Sequence, residues 1–148
     1  ISIPDWAIWR EMEALYHEGL ARSLGISNVS ADQLQLLCEH ADIKPAYVQN
    51  RCYAAHDWDH DVRAFCTKHN IHYQGFSLLT ANPFVLTEVS DLAQYYNATP
   101  EQIVYRFSQQ IGMIPLTGTT NPNHIREALS LNFTLSDEHA QKIERVAS

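Results

Sequence analysis

The sequence predicts an α/β fold in which four parallel strands alternate with helices, and three observations carry that expectation. Short β-type runs and amphipathic stretches follow one another in strict alternation, the pattern of a parallel sheet with helices packed on it. The connections are short, two to six residues throughout, as crossover units require. Helix starts are marked by capping chemistry, most clearly at "ATPEQIVYRF", where Thr99 is the N-cap, Pro100 the first helical residue and Gln102 the closing member of the box.

The first helix is expected from Trp6, because Trp9, Met12, Leu15 and Tyr16 recur at the three-and-four spacing of an amphipathic face, and Gly19 is placed to end it. Residues 22–28 form a short strand. Ser30 opens a capping box with Gln33, and Leu34, Leu36 and Leu37 carry a helix to about His40. "AYVQNRC" is the second strand, after which Asp59 and Asp61 open a helix bearing Val62, Phe65 and Cys66; acidic residues suit a first turn. "IHYQGFSLL" is the third strand, followed by one helical run from about Val85 to Tyr96 and then the Thr99-capped helix. "GMIPLTG" is the fourth strand, "NPNHIREAL" a short helix, and "SDEHAQKIERVA" a last helix capped by Ser136. No linker, low-complexity tract or repeat interrupts residues 1–148, which are expected to form one domain.

Composition narrows the function classes. With 148 residues and 45% hydrophobic content the chain can build one sizeable core. Its formal charge of −7 disfavours nucleic acid, whose phosphates are held by excess Lys and Arg. No run of about eighteen apolar residues and no basic-then-apolar start occurs, so neither a membrane span nor a secretory signal is expected. Cys38, Cys52 and Cys66 form no CxxC pair and are read as buried thiols of a cytoplasmic protein.

The alternation fits either an open doubly wound sheet or part of a (β/α)8 barrel; in both, ligands sit at the C-terminal ends of the strands. Polar residues fall there: Ser27, Asn28, Gln49, Ser77 and Thr117. "AHDWDHD" also sets His56 and His60 four apart, a metal-ligand spacing if helical, but no third ligand is fixed, and a solvated loop is the favoured reading.

"MEALYHEGLARSLGISNVS" resembles the second signature of the aldo-keto reductases, in which a Met-x-x-Leu helix leads through Gly, a basic residue and Gly to Ser-Asn. "KPAYVQNRC" resembles their next strand, and "PLTGTTNPNHIREAL" the loop and helix of their third signature. The likeness runs from about Trp6 to Glu144 and implies the C-terminal half of a TIM (β/α)8 barrel, with NADP(H) or NAD(H) as cofactor and a small-molecule carbonyl compound as substrate. It implies that Ser27, Asn28 and Gln49 meet the nicotinamide carboxamide, whose donors and acceptors short polar side chains can satisfy. Phe76 falls where an aromatic ring stacks on the nicotinamide, and Ser77 and Leu78 where the pyrophosphate lies. Gly118, Thr119, Thr120, His124 and Glu127 fall on the loop and helix that wrap the adenosine phosphate, at a helix N-terminus suited to an anion. Each has a plainer alternative: a strand-end turn for Ser27 and Asn28, a core ring for Phe76, a capped loop for 118–121.

The third signature departs from its usual pattern. His124 stands at the usual Arg position, Ala128 at the usual Asn, and Leu116 and Gly118 near the usual Lys, and only Glu127 is kept, so the cationic grip on a 2′-phosphate is missing; Arg126 is a candidate substitute. The resemblance also places the loop around Trp58 beside the substrate opening, with Tyr53 to Trp58 and Asn82 to Phe84 near the pocket. The catalytic Tyr, Lys, Asp and His of the family belong to the other half of the barrel, so no catalytic residue is assigned. Four strands alone leave two open edges. The expected partner is therefore a missing N-terminal half-barrel or another copy of the chain. A non-catalytic binding or regulatory module is the alternative.

Overall fold

The computed structural model describes residues 1–147. The chain is α/β, with four parallel strands alternating with helices. It divides into two compact units: Ile1–Asn50 with Asp61–Tyr73, and Arg51–His60 with the chain from Gln74 onward.

In the first unit, α1 (Ile3–His17) begins where the Ser2 amide and hydroxyl both donate to the Asp5 carboxylate, and it runs out ahead of Gly19, which adopts φ +75°. That left-handed value is open to glycine at no steric cost. Strand β1 (Gly25–Ser27) pairs in parallel with β2 (Tyr47–Arg51), Ile26 opposite Val48 and Ser27 opposite Gln49. At Gly25 a Cβ would lie 3.0 Å from the Tyr47 carbonyl oxygen, a tight approach that favours glycine in the close pairing. Between them, α2 (Ala31–His40) starts at Ser30, whose hydroxyl accepts from the Gln33 amide while Gln33 Oε1 accepts from the Ser30 amide. Both ends of the expected box are made. Trp9, Leu24, Leu37 and Ala41 form the core, with Trp6, Met12, Ile26 and Ile43 packed against it.

A buried carboxylate ties α1 to the turn before β2. Glu13 is 4% exposed and accepts from Trp9 Nε1 (3.1 Å), Arg10 (2.7 Å) and the amides of Asp42 (2.8 Å) and Ile43 (3.1 Å). Burial acts to raise its pKa and is the largest single influence. The Arg10 hydrogen bond, the Ile43 amide, the Arg10 charge and the Asp42 amide together outweigh it and hold the carboxyl below its ordinary value.

The second unit is built around α6 (Pro100–Gln110), whose Ile103, Val104 and Phe107 are fully buried. Thr99 caps it as expected, accepting from Gln102 N–H while Gln102 Oε1 accepts from Thr99 N–H. Strand β3 (His72–Phe76), which the unit boundary crosses, pairs in parallel with β4 (Ile114–Pro115), Gln74 opposite Ile114 and Gly75 opposite Pro115. A Cβ at Gly75 would overlap Met113 Sδ, so this strand too presses glycine against a neighbour. The remaining α-helices of this unit are α4 (Pro83–Glu88), α5 (Ser90–Tyr95), α7 (Pro122–Leu129) and α8 (Asp137–Glu144), the last capped by Ser136, while α3 (His60–Lys68) falls in the first unit from Asp61 on.

All four strands are shorter than the sequence predicts, and backbone features end three of them. Asn28 (φ 56°) and Ser77 (φ 57°) turn left-handed and stop β1 and β3. In β4, Pro115 has no N–H to give the ladder, although Leu116 N–H still reaches the Gly75 carbonyl at 2.8 Å. The helical run expected over 85–96 starts earlier and divides at Val89 (φ −95°, ψ 7°). Val89 N–H still donates to Val85 O, and Ala93 N–H to Val89 O, so the break is a kink that keeps Val85, Val89, Leu92 and Ala93 buried. Cys52 and Cys66 are buried, while Cys38 is only half-buried; burial raises its thiol pKa against the opposing charge of Lys44.

Candidate functional site

The strand ends of the second unit open into a cleft of about 650 Å³. Four pieces of chain build it. Phe76 and Ser77 close β3, the left-handed turn at Ser77 sending the chain away to Leu78, Leu79 and Thr80. The first turns of α6 contribute Glu101, Gln102 and Tyr105, the segment after β4 contributes Leu116 to Thr119, and α7 contributes His124, Glu127 and Ala128. Phe76 is half-buried and lines the cleft.

Hydrogen bonds fix the walls. Gln102, 9% exposed, closes its own helix cap and also donates through Nε2 to the carbonyls of Glu127 (3.0 Å) and Ser130 (2.9 Å). A single side chain thus starts α6 and holds the end of α7. The Tyr105 and Thr117 hydroxyls lie 2.8 Å apart, securing β4 to α6. Thr119 Oγ1 accepts from Asn121 N–H (3.1 Å), and Asn121 Oδ1 accepts from Asn123 N–H (2.9 Å), so the loop before α7 is partly self-capped. Among the described residues lining the cleft, Glu101 and Glu127 bring carboxylates, and Ser77, Thr80, Thr117 and Thr119 bring hydroxyls.

Of the residues expected in this unit, Phe76, Ser77, Leu78, Gly118, Thr119, His124 and Glu127 line the cleft and Thr120 does not. Arg126, the candidate substitute for the missing cation, is outside the lining and donates to Asn123 Oδ1 on its own helix. Sequence reasoning missed Thr80, Glu101, Gln102 and Tyr105 as wall residues. The signal available was the Thr99 cap, which fixes Glu101 and Gln102 in the first turn of a helix beginning near strand ends.

In the first unit, Ser27 and Asn28 are exposed at the end of β1 and line a separate hollow of about 380 Å³ beside α1. The Ser27 hydroxyl donates to the Gln49 carbonyl at 2.6 Å, and Asn28 N–H donates to the same oxygen at 3.1 Å. Part of the hydrogen-bonding capacity of Ser27 therefore serves the sheet. Gln49 is half-buried opposite Ser27 and is not in the lining of that hollow. The turn after Asn28 is splinted by the buried Asn50, whose Oδ1 accepts from Val29 N–H (3.1 Å) and whose Nδ2 donates to Val29 O (2.8 Å).

The 54–60 stretch, expected as a solvated loop with Trp58 beside an opening, is corrected in its burial. Asp57, Trp58 and Asp59 adopt φ 50°, 52° and 58°, so His56 and His60 are not one turn apart on a helix face. Nor does Trp58 line an opening. It is fully buried, packs edge-on against Phe107 (ring centroids 5.0 Å apart) and donates its indole N–H to the Ile143 carbonyl at 3.2 Å. An aromatic residue is a rare occupant of the left-handed region. Asn82, 1% exposed, holds this stretch by accepting from Ala54 N–H (2.7 Å) and donating to Cys52 O (2.9 Å) and Leu78 O (2.8 Å). It is a structural clamp. Among the described residues no group of three or more His, Cys, Asp or Glu is arranged to hold a metal ion, and no helix is long and apolar enough to cross a membrane.

Known proteins resemble the chain along its whole length. The chain is 32% identical over 146 aligned residues to a 2,5-diketo-D-gluconic acid reductase B of Corynebacterium sp., covering 96% of this chain and 52% of that protein. It is 28% identical over 154 residues to an NADPH-dependent alpha-keto amide reductase of Saccharomyces cerevisiae, covering 91% and 47%. Its fold superimposes with a TM-score of 0.87 on an aldo-keto reductase enzyme from a Medee basin deep-sea metagenome library, at 24% identity, covering 100% of this chain and 57% of that one. The chain spans about half the length of the curated relatives it matches. With the sequence pattern of the Aldo/keto reductase family matched across residues 2–148, and four parallel strands alternating with helices as in about half of such a barrel, the chain belongs to the aldo-keto reductase family.

Proposed function

We propose that this chain is the cofactor-holding half of an NAD(P)H-dependent carbonyl reductase acting on small aldehydes or ketones in the cytoplasm. One observation carries the reading: Phe76, Ser77 and Leu78 line one cleft of about 650 Å³ at strand ends together with Gly118, Thr119, His124 and Glu127, which lie far from them in sequence. The chemistry of its walls fits a dinucleotide. Phe76 offers a flat apolar surface for a nicotinamide ring, and the hydroxyls of Ser77 and Thr119 with the backbone at Leu78 and Gly118 offer donors to phosphate oxygens. His124 and Glu127 stand at the adenosine end. In the other unit, Ser27, Asn28 and Gln49 present polar atoms suited to a carboxamide, and Thr120 extends the phosphate-side loop.

When bound, a reduced nicotinamide supplies hydride to the substrate carbonyl carbon. This chain's residues bind and orient: Phe76 fixes which ring face is presented, and the α6 and α7 walls hold the adenosine side. The proton must come from a group within hydrogen-bond reach of the carbonyl oxygen. We assign that group to a companion half-barrel carrying a Tyr, Lys, Asp and His, a reading supported by the half-length coverage of the relatives. By itself the chain is then inactive.

Quenching of intrinsic Trp fluorescence by NADH and NADPH, measured on the full-length gene product, tests the reading. Saturable quenching by at least one cofactor is expected, weakened in Asn28→Ala. Absence of binding by either would overturn it, and unchanged affinity in Asn28→Ala would return that residue to a strand-end turn.

A further inference from the structure

We propose that Arg51 sets the substrate class: carbonyl compounds that carry a carboxylate, which the guanidinium grips while the nicotinamide rests on Phe76. The proposal rests on the cofactor role assigned above and adds which small carbonyl compounds the site takes.

Arg51 is the last residue of β2 and is exposed. The amide of the next residue, Cys52, donates to the Phe76 carbonyl at 3.1 Å, so Arg51 and Phe76 end adjacent parallel strands side by side. Side chains alternate between the two faces of a strand. Asn50 and Cys52 are buried while Arg51 is exposed, and Gly75 is buried while Phe76 is half-buried, which puts Arg51 and Phe76 on the same face. Strand order then fixes the side. β4 and the Gly118–Thr119 segment that follows it lie on one side of Phe76, and Arg51 lies on the other, outside the lining that holds the phosphate-side residues. A dinucleotide whose ring covers Phe76 and whose phosphates reach Thr119 therefore has Arg51 beside its ring end, where a carbonyl compound must meet the hydride.

Two contacts hold Arg51 at that place. Its guanidinium carbon lies over the Tyr53 ring, 5.6 Å from the centroid. Asn82 Nδ2 donates to Cys52 O (2.9 Å) and Leu78 O (2.8 Å), fastening the chain that leaves β2 to the chain that leaves β3. A guanidinium stays charged at every working pH, and its planar fork of N–H donors matches the two oxygens of a carboxylate. The chain carries a formal charge of −7, which repels anions in general, so a fixed local cation at the strand ends is what admits an acidic substrate there.

The test compares 4-carboxybenzaldehyde with its neutral ester, methyl 4-formylbenzoate, as substrates of the full-length gene product. The acid is expected to show a kcat/KM about tenfold or more above that of the ester, with the difference in KM, as a charge-assisted pair made in both ground and transition states requires. In Arg51→Gln the two substrates are expected to converge. Arg51→Lys is expected to keep part of the gap, since the charge stays and the fork is lost, and raised ionic strength is expected to shrink the gap in wild type. Calorimetric titration of 4-methylbenzoate, which has the carboxylate and no aldehyde to reduce, reads the same contact without turnover when the protein is saturated with oxidised cofactor; Arg51→Gln should weaken it about tenfold. Thermal melting of each variant confirms that the fold is retained. Equal or better use of the ester by wild type would overturn the carboxylate preference, while saturable quenching of Trp fluorescence by a cofactor would leave the reductase reading standing. A gap or a 4-methylbenzoate affinity that persists unchanged in both Arg51 variants would overturn the assignment to Arg51. Failure of both aldehydes to turn over, with NADH and NADPH also failing to quench, would overturn the cofactor role and the preference together.

Discussion

Gln102→Ala is the perturbation whose cost can be worked most directly from the structure. The Gln102 side chain makes three hydrogen bonds: Oε1 accepts from Thr99 N–H at 2.9 Å, and Nε2 donates to Glu127 O at 3.0 Å and to Ser130 O at 2.9 Å. At about 1 kcal/mol net for each bond, the sum is about 3 kcal/mol. Water reduces it. The side chains of α7 are exposed or half-buried, so the two carbonyls can rehydrate once the amide is gone, and the loss settles nearer about 2 kcal/mol. Chemical denaturation should report that loss as a lower midpoint with an unchanged slope. Hydrogen exchange should show the 121–130 segment, which carries His124 and Glu127, exchanging faster than the interior of α6. Gln102→Glu sharpens the test. Its carboxylate can still accept from Thr99 N–H but confronts two carbonyl oxygens, so helix capping survives while the hold on α7 is lost and nucleotide binding weakens. A Gln102→Ala variant within about 0.5 kcal/mol of wild type, or one with unaltered exchange over 121–130, would refute the claim that this side chain secures the cleft wall.

Other perturbations test the surrounding argument. The Glu13 carboxyl is held below its ordinary value of 4.5, so it stabilises the fold fully above that pH and the contribution disappears as pH falls through its lower folded value. Urea midpoints between pH 7 and pH 3 should drop accordingly in wild type and fall less steeply in Glu13→Gln; parallel slopes would contradict this. Trp58→Ala should cost about 3–5 kcal/mol by thermal or chemical unfolding because it empties a fully buried site. Trp58→Phe should cost about 1–3 kcal/mol, keeping most of the contact with Phe107 but leaving the Ile143 carbonyl without its donor. If Trp58→Ala instead shifted substrate preference at unchanged stability, the core assignment would fail.

The features legible in the sequence are those decided locally. Ser30 with Gln33 and Thr99 with Gln102 cap their helices as the spacing of the residues predicts, because both partners lie within one turn of each other. The alternation of strand and helix is likewise written in periodicity. What could not be read depends on contacts distant in sequence. Gln102 looks complete as a capping residue, yet its amide serves carbonyls 25 and 28 positions away. Trp58 sits among Asp and His in a run that reads as solvated, and only the meeting of 54–60 with Phe107 and Ile143 buries it. The strand ends moved for the same reason: Asn28 and Ser77 are tolerated in left-handed backbone because the fold holds them there. In the candidate site, Phe76–Leu78 and 118–127 were found through family likeness, whereas Glu101 and Tyr105 required knowing which helix starts beside the cleft.

Hydrogen–deuterium exchange of the full-length protein with and without saturating NADH, and likewise NADPH, tests the central claim most directly. If the cleft holds the dinucleotide, amides of residues 76–80 and 117–128 should be protected on binding. Binding of either dinucleotide that leaves those two segments exchanging at their unliganded rates would contradict the account.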